Sequence, residues 1–183
     1  MSSIELMPTR CAICGTTGNA REVYPARLPA GAFEPRVFSA RRAPDGIHYR
    51  MVRCSGCGLV RSDPAATAEA LSHVYAESGF DYASEVANLG RTYGRELDRL
   101  GKFGVRKDSL LEIGCGNGFL LEEASRRGFR DVRGIEPSEE AVRRSPESIR
   151  PRIVRGTVGP GAFAKESFDV ICLFQVLDHL PDP

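Results

Sequence analysis

Four of the six cysteines have the spacing of a metal site. Cys11 and Cys14 form one CxxC pair, Cys54 and Cys57 form another, and a glycine follows each pair. Structural zinc takes four ligands at the corners of a tetrahedron, and glycine lets the chain turn so that backbone N–H groups point at sulfur. We therefore predict a closed zinc site of the zinc-ribbon type, although redox chemistry, iron and no metal remain alternatives.

A glycine loop gives the second chemical signal. Gly114, Gly116 and Gly118 follow the apolar run 110–113 and precede a helical pattern. Their GxGxG spacing is neither the GxGxxG of dinucleotide-binding folds nor a phosphate-binding P-loop. Glu136 ends the next apolar run, 22 residues after Gly114. An acid at that position can accept hydrogen bonds from ribose hydroxyls, so we predict a ligand that contains adenosine.

The elements that would position this loop alternate between strand and helix. Apolar runs predict strands at 110–113, 131–135, 152–154 and 168–174, and helical spacing predicts helices at 118–127 and 138–144. The last strand is apolar nearly throughout, as a strand covered on both faces would be. This alternation is typical of a parallel α/β sheet.

The N-terminal part has a different pattern. Short strands are predicted at 47–53 and 58–61, around the second cysteine pair, and prolines with glycines predict loops before them. Asp63 is a suitable N-cap and Pro64 suits a first helical position, so we predict a helix that begins there and ends near Gly79. A second helix is predicted over 84–102, with apolar residues at helical spacing.

Three segments together resemble a known family. LLEIGCGNGF at 110–119, VRGIEPS at 132–138 and SFDVICLFQVLDHLPDP at 167–183 are similar to the first, second and fourth motifs of class I S-adenosylmethionine-dependent methyltransferases. The cysteine pairs resemble a zinc module that precedes this domain in a bacterial subgroup. The resemblance implies a Rossmann-like sheet in 105–183, incomplete at four strands. A zinc-ribbon-like module in 1–62 and a helical connector and cofactor-site cap in 63–104 precede it.

The resemblance also implies roles for individual residues, with S-adenosylmethionine and zinc as cofactors. The glycine loop lines the methionine part, Glu112 orients its ammonium group and Glu136 binds the ribose. Thr157 stands where the family usually has an adenine-binding aspartate, which leaves that contact open. The implied cofactor-binding residues are Glu112, Gly114, Cys115, Gly116, Asn117, Gly118, Glu136, Pro137, Thr157, Val158, Phe174 and Gln175. His179 is a weak candidate for a catalytic base.

Three functions compete at this point. The first is methyl transfer to a small molecule such as a sugar, a lipid-linked intermediate or a secondary metabolite. The second is an RNA methyltransferase, because aromatic and arginine side chains alternate near the cysteines and could stack on bases and contact phosphates. These residues are Phe33, Arg36, Phe38, Arg41, Arg42, Tyr49 and Arg50. The third is a non-catalytic zinc-ribbon module on a degenerate methyltransferase.

Charge and length add weaker expectations. Residues 1–63 carry a net charge of +4 and residues 64–183 a net charge of −3, an asymmetry too small to require an anionic partner. No secretory signal or membrane-spanning run is visible, so we expect a cytoplasmic protein. The resemblance implies further strands after Pro183. We therefore expect one of two situations. Either the sequence is a fragment of a longer protein, or a second chain, in an oligomer or a complex, covers the open sheet edge.

Overall fold

The computed structural model describes residues 5–29, 46–77 and 85–180. Contacts divide the chain into two compact units, of which the first extends to Tyr75 and also includes Leu180, and the second comprises Ala76–His179. Some sequence expectations lie outside the described residues, namely the helix end near Gly79 and the residues Phe33, Arg36, Phe38, Arg41 and Arg42. Within the described ranges, no helix combines the length and apolar character needed to cross a membrane.

The first unit contains two small antiparallel sheets. Strand β1 (Leu6–Met7) pairs with β5 (Ala65–Ala66). A second sheet has the order β2-β3-β4 and consists of β2 (Ala20–Tyr24), β3 (Met51–Cys54) and β4 (Val60–Ser62). Strands β3 and β4 overlap the two predicted strands, and the second cysteine pair lies at the end of β3 (Cys54) and in the turn before β4 (Cys57).

The predicted helix start at Asp63 and Pro64 is wrong. Helix α1 is Ala68–Glu77, and the Thr67 hydroxyl oxygen accepts a hydrogen bond from the Ala70 backbone N–H at 3.2 Å. The Asp63 carboxylate instead accepts a hydrogen bond from the Thr9 backbone N–H at 2.8 Å and lies 3.5 Å from the Arg50 guanidinium. Long-range partners therefore hold Asp63 in the first unit, and a threonine four residues later caps the helix.

The second unit contains the predicted parallel sheet. Its strands are β6 (Ser109–Ile113), β7 (Asp131–Glu136), β8 (Ile153–Arg155) and β9 (Val170–Cys172), in the order β8-β7-β6-β9. Helix α3 (Phe119–Arg126) follows β6 and helix α4 (Glu139–Arg143) follows β7. Strand β9 is shorter than the predicted strand 168–174. Its Ile171 side chain is 55% exposed, so the prediction that both faces of this strand are buried is wrong.

Helix α2 (Val86–Leu100) packs against α3 and contributes Leu97 to the hydrophobic core of the second unit. Gly94 lowers the intrinsic helix propensity of α2, but a Cβ there would lie 2.5 Å from the Arg127 guanidinium. Arg127 pairs with Asp98 of α2 at 3.0 Å and with Glu123 of α3. The glycine thus gives space to the arginine that connects the two helices.

Candidate functional site

The carboxyl ends of β6 and β9 form a topological switch point, which is where open α/β sheets have their ligand-binding crevice. The chain passes from β6 to β7 and β8 on one side, then returns to β9 on the other side of β6. In open α/β sheets, ligands bind where the direction of winding reverses in this way. The loop Gly114–Gly118 lines the crevice from β6, and residues 173–176 line it from β9.

The loop requires glycine for both conformation and space. Gly114, Gly116 and Gly118 have φ angles of +70°, +54° and +76°, which L-residues rarely adopt. A Cβ on Gly114 would lie 2.5 Å from a methyl carbon of Val176, and a Cβ on Gly118 would lie 2.5 Å from a methyl carbon of Ile149. The loop therefore passes directly against the segment that follows β9.

We expect Gly114→Ala to destabilise the protein more than Gly104→Ala. The two glycines have nearly equal φ angles, +70° and +67°, but nothing lies within 4 Å of a Cβ at Gly104. Both variants should lose roughly 1–2 kcal/mol for the left-handed conformation. Gly114→Ala should lose roughly 1–3 kcal/mol more through overpacking against Val176. Urea unfolding measures the difference, and equal losses would contradict the close contact.

Glu136 connects the loop to the start of α4. Its carboxylate accepts hydrogen bonds from the backbone N–H groups of Gly116 and Ser138, both at 2.9 Å. The Ser138 hydroxyl oxygen in turn accepts from the Ala141 backbone N–H at 3.2 Å, as the N-cap of α4. Burial raises the pKa of Glu136, and the two N–H groups oppose that rise. The acid therefore stands at the end of β7, beside the glycine loop.

Two buried acceptors beside the loop lack a hydrogen-bond donor. One is Oε2 of Glu112, a residue that is 3% exposed, and the other is Oδ1 of Asn117. Neither atom has a partner within the described part of the chain. Burial and the charge of Glu136 raise the pKa of Glu112 well above its usual range. Because buried polar atoms are normally hydrogen-bonded, these acceptors fit a ligand that donates hydrogen bonds.

Aromatic side chains pack on the β9 side of the crevice. The ring of Tyr93 from α2 stacks on Phe174 with a centroid distance of 4.1 Å and lies 5.9 Å from Phe119. The Gln175 side-chain amide donates a hydrogen bond to the Tyr93 hydroxyl at 2.9 Å. Gln175 also has a φ angle of +55°, a strained conformation that is frequent at functional sites.

Sequence reasoning assigned Tyr93 only to the packed face of a helix. The helical spacing that places it there gives no sign of its contact with Phe174 and Gln175. Its pKa is raised by burial and by the charge of Glu112, so it also lies near that acid. Tyr93 is the residue that sequence reasoning missed at this site.

The other residues predicted for the site differ in how deeply they are buried. Cys115 is buried, and its sulfur occupies the space that a Cβ on Gly134 would need. Pro137 is half-buried beside Glu136. Thr157 and Val158 follow β8 and are exposed, and His179 is exposed in a short turn of helix, Leu177–His179. The structure thus brings Glu112, Glu136 and the glycine loop together and leaves these last three residues at the surface.

In the first unit, the four paired cysteines converge. The sulfur atoms of Cys11, Cys14, Cys54 and Cys57 all lie within 4.8 Å of one another. The Cys11–Cys57 and Cys14–Cys54 sulfur distances are 3.4 Å and 3.5 Å, close to the roughly 3.8 Å that a tetrahedron with Zn–S bonds of about 2.3 Å requires. Backbone N–H groups, above all that of Cys57, lower the pKa of Cys54 to about 5. The donor set fits zinc.

Comparison with known proteins places residues 82–183 in a family described as "Methyltransferase domain". Several curated relatives are named ubiquinone biosynthesis O-methyltransferase. One from Neisseria meningitidis serogroup C is 28% identical over 120 residues, which cover 59% of this chain and 49% of the relative. One from Methylobacterium sp. is 32% identical over 101 residues, and these cover 50% of this chain and 38% of the relative. The chain thus spans about half or less of these relatives.

A solved structure is also similar in part. The plantazolicin methyltransferase BpumL in complex with SAH is 30% identical in the aligned region, with a TM-score of 0.28. The alignment covers 36% of this chain and 26% of that one.

Proposed function

The chain belongs to the methyltransferase-domain family, and we propose that it transfers the methyl group of S-adenosylmethionine to a small molecule. One observation carries the proposal: Glu136, the glycine loop and the donor-free acceptors of Glu112 and Asn117 converge where the sheet changes its direction of winding. That arrangement suits a ligand with ribose hydroxyls at one end and a hydrogen-bond-donating group at the other.

The residues of this site fit S-adenosylmethionine. Each carboxylate oxygen of Glu136 accepts one backbone N–H, and each keeps a second lone pair for a ribose hydroxyl. Glu112 and Asn117 offer acceptors to the ammonium group of the methionine part. Glycine at positions 114, 116 and 118 allows the loop backbone to approach the ligand closely, because these residues have no Cβ.

When bound, S-adenosylmethionine supplies a methyl group on a sulfonium centre, so the protein mainly has to position the acceptor. We assign that task to the β9 side of the crevice. The stacked rings of Tyr93 and Phe174 supply an apolar surface there, and the Gln175 side-chain amide donates a hydrogen bond to the Tyr93 hydroxyl. Alignment of this kind supplies a large part of the rate in a displacement reaction.

The acceptor we propose is a hydroxyl group of a small organic molecule. The relatives named ubiquinone biosynthesis O-methyltransferase support this choice. A hydroxyl acceptor needs a base, and His179 stays the candidate that the sequence suggested. For the first unit, we propose a structural zinc ion on the four cysteines, supported by their sulfur distances.

Methyl-labelled S-adenosylmethionine tests the function. The protein is incubated with a low-molecular-mass cell extract and, separately, with an RNA fraction. We expect label in small molecules, S-adenosylhomocysteine as co-product, and loss of both in Glu136→Ala. Label in RNA alone would favour the RNA methyltransferase alternative, and absence of transfer to either fraction would contradict the proposal.

A further inference from the structure

Two exposed arginines lie side by side on the β2-β3-β4 sheet of the first unit. Arg21 on β2 is the register partner of Arg53 on β3, so both side chains project from the same face of the sheet. Directly opposed residues have Cβ atoms about 4.5–5.5 Å apart, and like charges in these positions are destabilising. Neither side chain has an ion pair or a hydrogen bond in the described part of the chain. The sheet thus holds two guanidinium groups together without an acid that neutralises them.

The acids of this sheet region are used on its opposite face. Glu22 and Arg61 are the register partners of the buried Val52, on either side of it. The Arg50 guanidinium lies 4.0 Å from the Glu22 carboxylate and 3.5 Å from that of Asp63, and Arg61 lies 4.0 Å from Asp63. Arg50, which the sequence suggested as a phosphate contact, therefore pairs with acids. The net positive charge of this region is concentrated on the face that carries the first pair of arginines.

An exposed aromatic ring shares that face. Tyr24 on β2 is the register partner of Met51, and Val60 on β4 is the register partner of Arg53. The Ser62 hydroxyl donates a hydrogen bond to the Met51 sulfur at 3.6 Å, across the same face. The Tyr24 side chain is 60% exposed, and it is a diagonal neighbour of Arg53, within reach of a long side chain. We call this surface the arginine face, and it consists of Arg21, Tyr24, Met51, Arg53, Val60 and Ser62.

The chemistry of the arginine face matches a ligand that has both flat rings and phosphate groups. A guanidinium group binds phosphate through two parallel hydrogen bonds. An exposed tyrosine ring offers a surface on which any nucleic-acid base can stack. The six residues of the face include no acid that would repel a phosphate. An acidic peptide would neutralise the arginines but bring no ring for Tyr24, whereas a single strand has unpaired bases that are free to stack.

We propose that the arginine face binds single-stranded nucleic acid, with phosphates on Arg21 and Arg53 and a base stacked on Tyr24. The inference goes beyond the proposed function and does not depend on it, because the strand is a bound partner here and not the methyl acceptor. The contacts use phosphates and ring surfaces, which carry little sequence information. Binding should therefore show little preference among sequences.

Fluorescence anisotropy with a labelled oligouridylate tests the proposal. The probe is about 10 nucleotides long, within the range that one small domain binds, and the full chain is purified in zinc-containing buffer. Each phosphate that is neutralised on a single strand contributes about −0.7 to the slope of log K against log salt concentration. Two arginine contacts predict a slope of about −1.4 or steeper. An oligothymidylate of the same length should give a similar slope.

Three variants divide the interaction into its parts. Arg21→Gln and Arg53→Gln should each make the slope shallower by about 0.7, and their urea midpoints should not fall, because each removes one member of a like-charged pair. Tyr24→Leu should weaken binding about fivefold or more with the slope unchanged. The matched control is Arg126→Gln, which removes the same charge from an exposed arginine on α3 and should leave the slope unchanged.

The outcomes that overturn the proposal are distinct. Absence of oligonucleotide binding by the folded wild-type chain overturns it, and so does an unchanged slope in both arginine variants. Equal or tighter binding of a polyglutamate peptide would assign the face to acidic protein segments and overturn the choice of nucleic acid. Titration of the same wild-type sample with S-adenosylhomocysteine tests the proposed function separately, so the failure of either binding leaves the other standing.

Discussion

Replacement of Glu136 by alanine should weaken S-adenosylhomocysteine binding about 100-fold or more. The carboxylate has one free lone pair on each oxygen after its bonds to Gly116 and Ser138. Two hydrogen bonds from ribose hydroxyls to a charged acceptor contribute about 1.5–3 kcal/mol each, and about 1.4 kcal/mol corresponds to tenfold in affinity. Isothermal titration calorimetry measures the loss.

The control for this experiment must separate the ligand contact from the structural role of Glu136. Glu139→Ala removes a neighbouring acid on α4 that is exposed and pairs with Arg155 at 2.9 Å, so its affinity should stay within about twofold. Circular dichroism checks that both variants are folded. Unchanged affinity in a folded Glu136→Ala protein would contradict the ribose contact.

The second large effect concerns the four cysteines of the first unit. We expect about one zinc ion per chain, and we expect Cys54→Ser to lose it together with the fold of β2, β3 and β4. Cys54 lies in β3 and is buried, and structural zinc contributes on the order of 10 kcal/mol or more to the folding of small domains. Metal analysis combined with hydrogen exchange of residues 46–62 measures both losses.

Cys172→Ala is the matched control, because Cys172 is also a buried free cysteine but lies in β9. Its zinc content should equal that of the wild type. A wild-type protein without metal after purification in zinc-containing buffer would contradict the zinc site. Retention of zinc in Cys54→Ser would show that Cys54 is not a necessary ligand.

The sequence predicted the parallel sheet well because its evidence is local. The glycine loop, the acid 22 residues later and the apolar runs each depend on a few adjacent residues. The structure has the loop directly after β6 and Glu136 at the end of β7, where its carboxylate accepts a hydrogen bond from the Gly116 backbone N–H. Each CxxC turn brings its own two cysteines together locally, which their spacing predicts, whereas the two pairs meet through contacts between residues 40 and 46 positions apart.

What the sequence could not predict depends on distant partners. Aspartate is a common helix N-cap, but the hydrogen bonds of the Asp63 carboxylate with Thr9 and Arg50 determine its position. Tyr93 has the spacing of a core residue, but its contacts with Phe174 and Gln175 bring it to the site. Periodicity identifies the buried face of a helix and not the residue on the opposite element.

The central claim is that the crevice at β6, β7 and β9 binds an S-adenosyl ligand. Calorimetric titration of the wild-type chain with S-adenosylhomocysteine tests it most directly, with adenosine monophosphate as the comparison ligand. We predict saturable binding at one site per chain and much weaker binding of adenosine monophosphate, because that ligand lacks an ammonium group to donate hydrogen bonds to the buried acceptors of Glu112 and Asn117. Absence of S-adenosylhomocysteine binding by a folded, zinc-loaded protein would contradict the account.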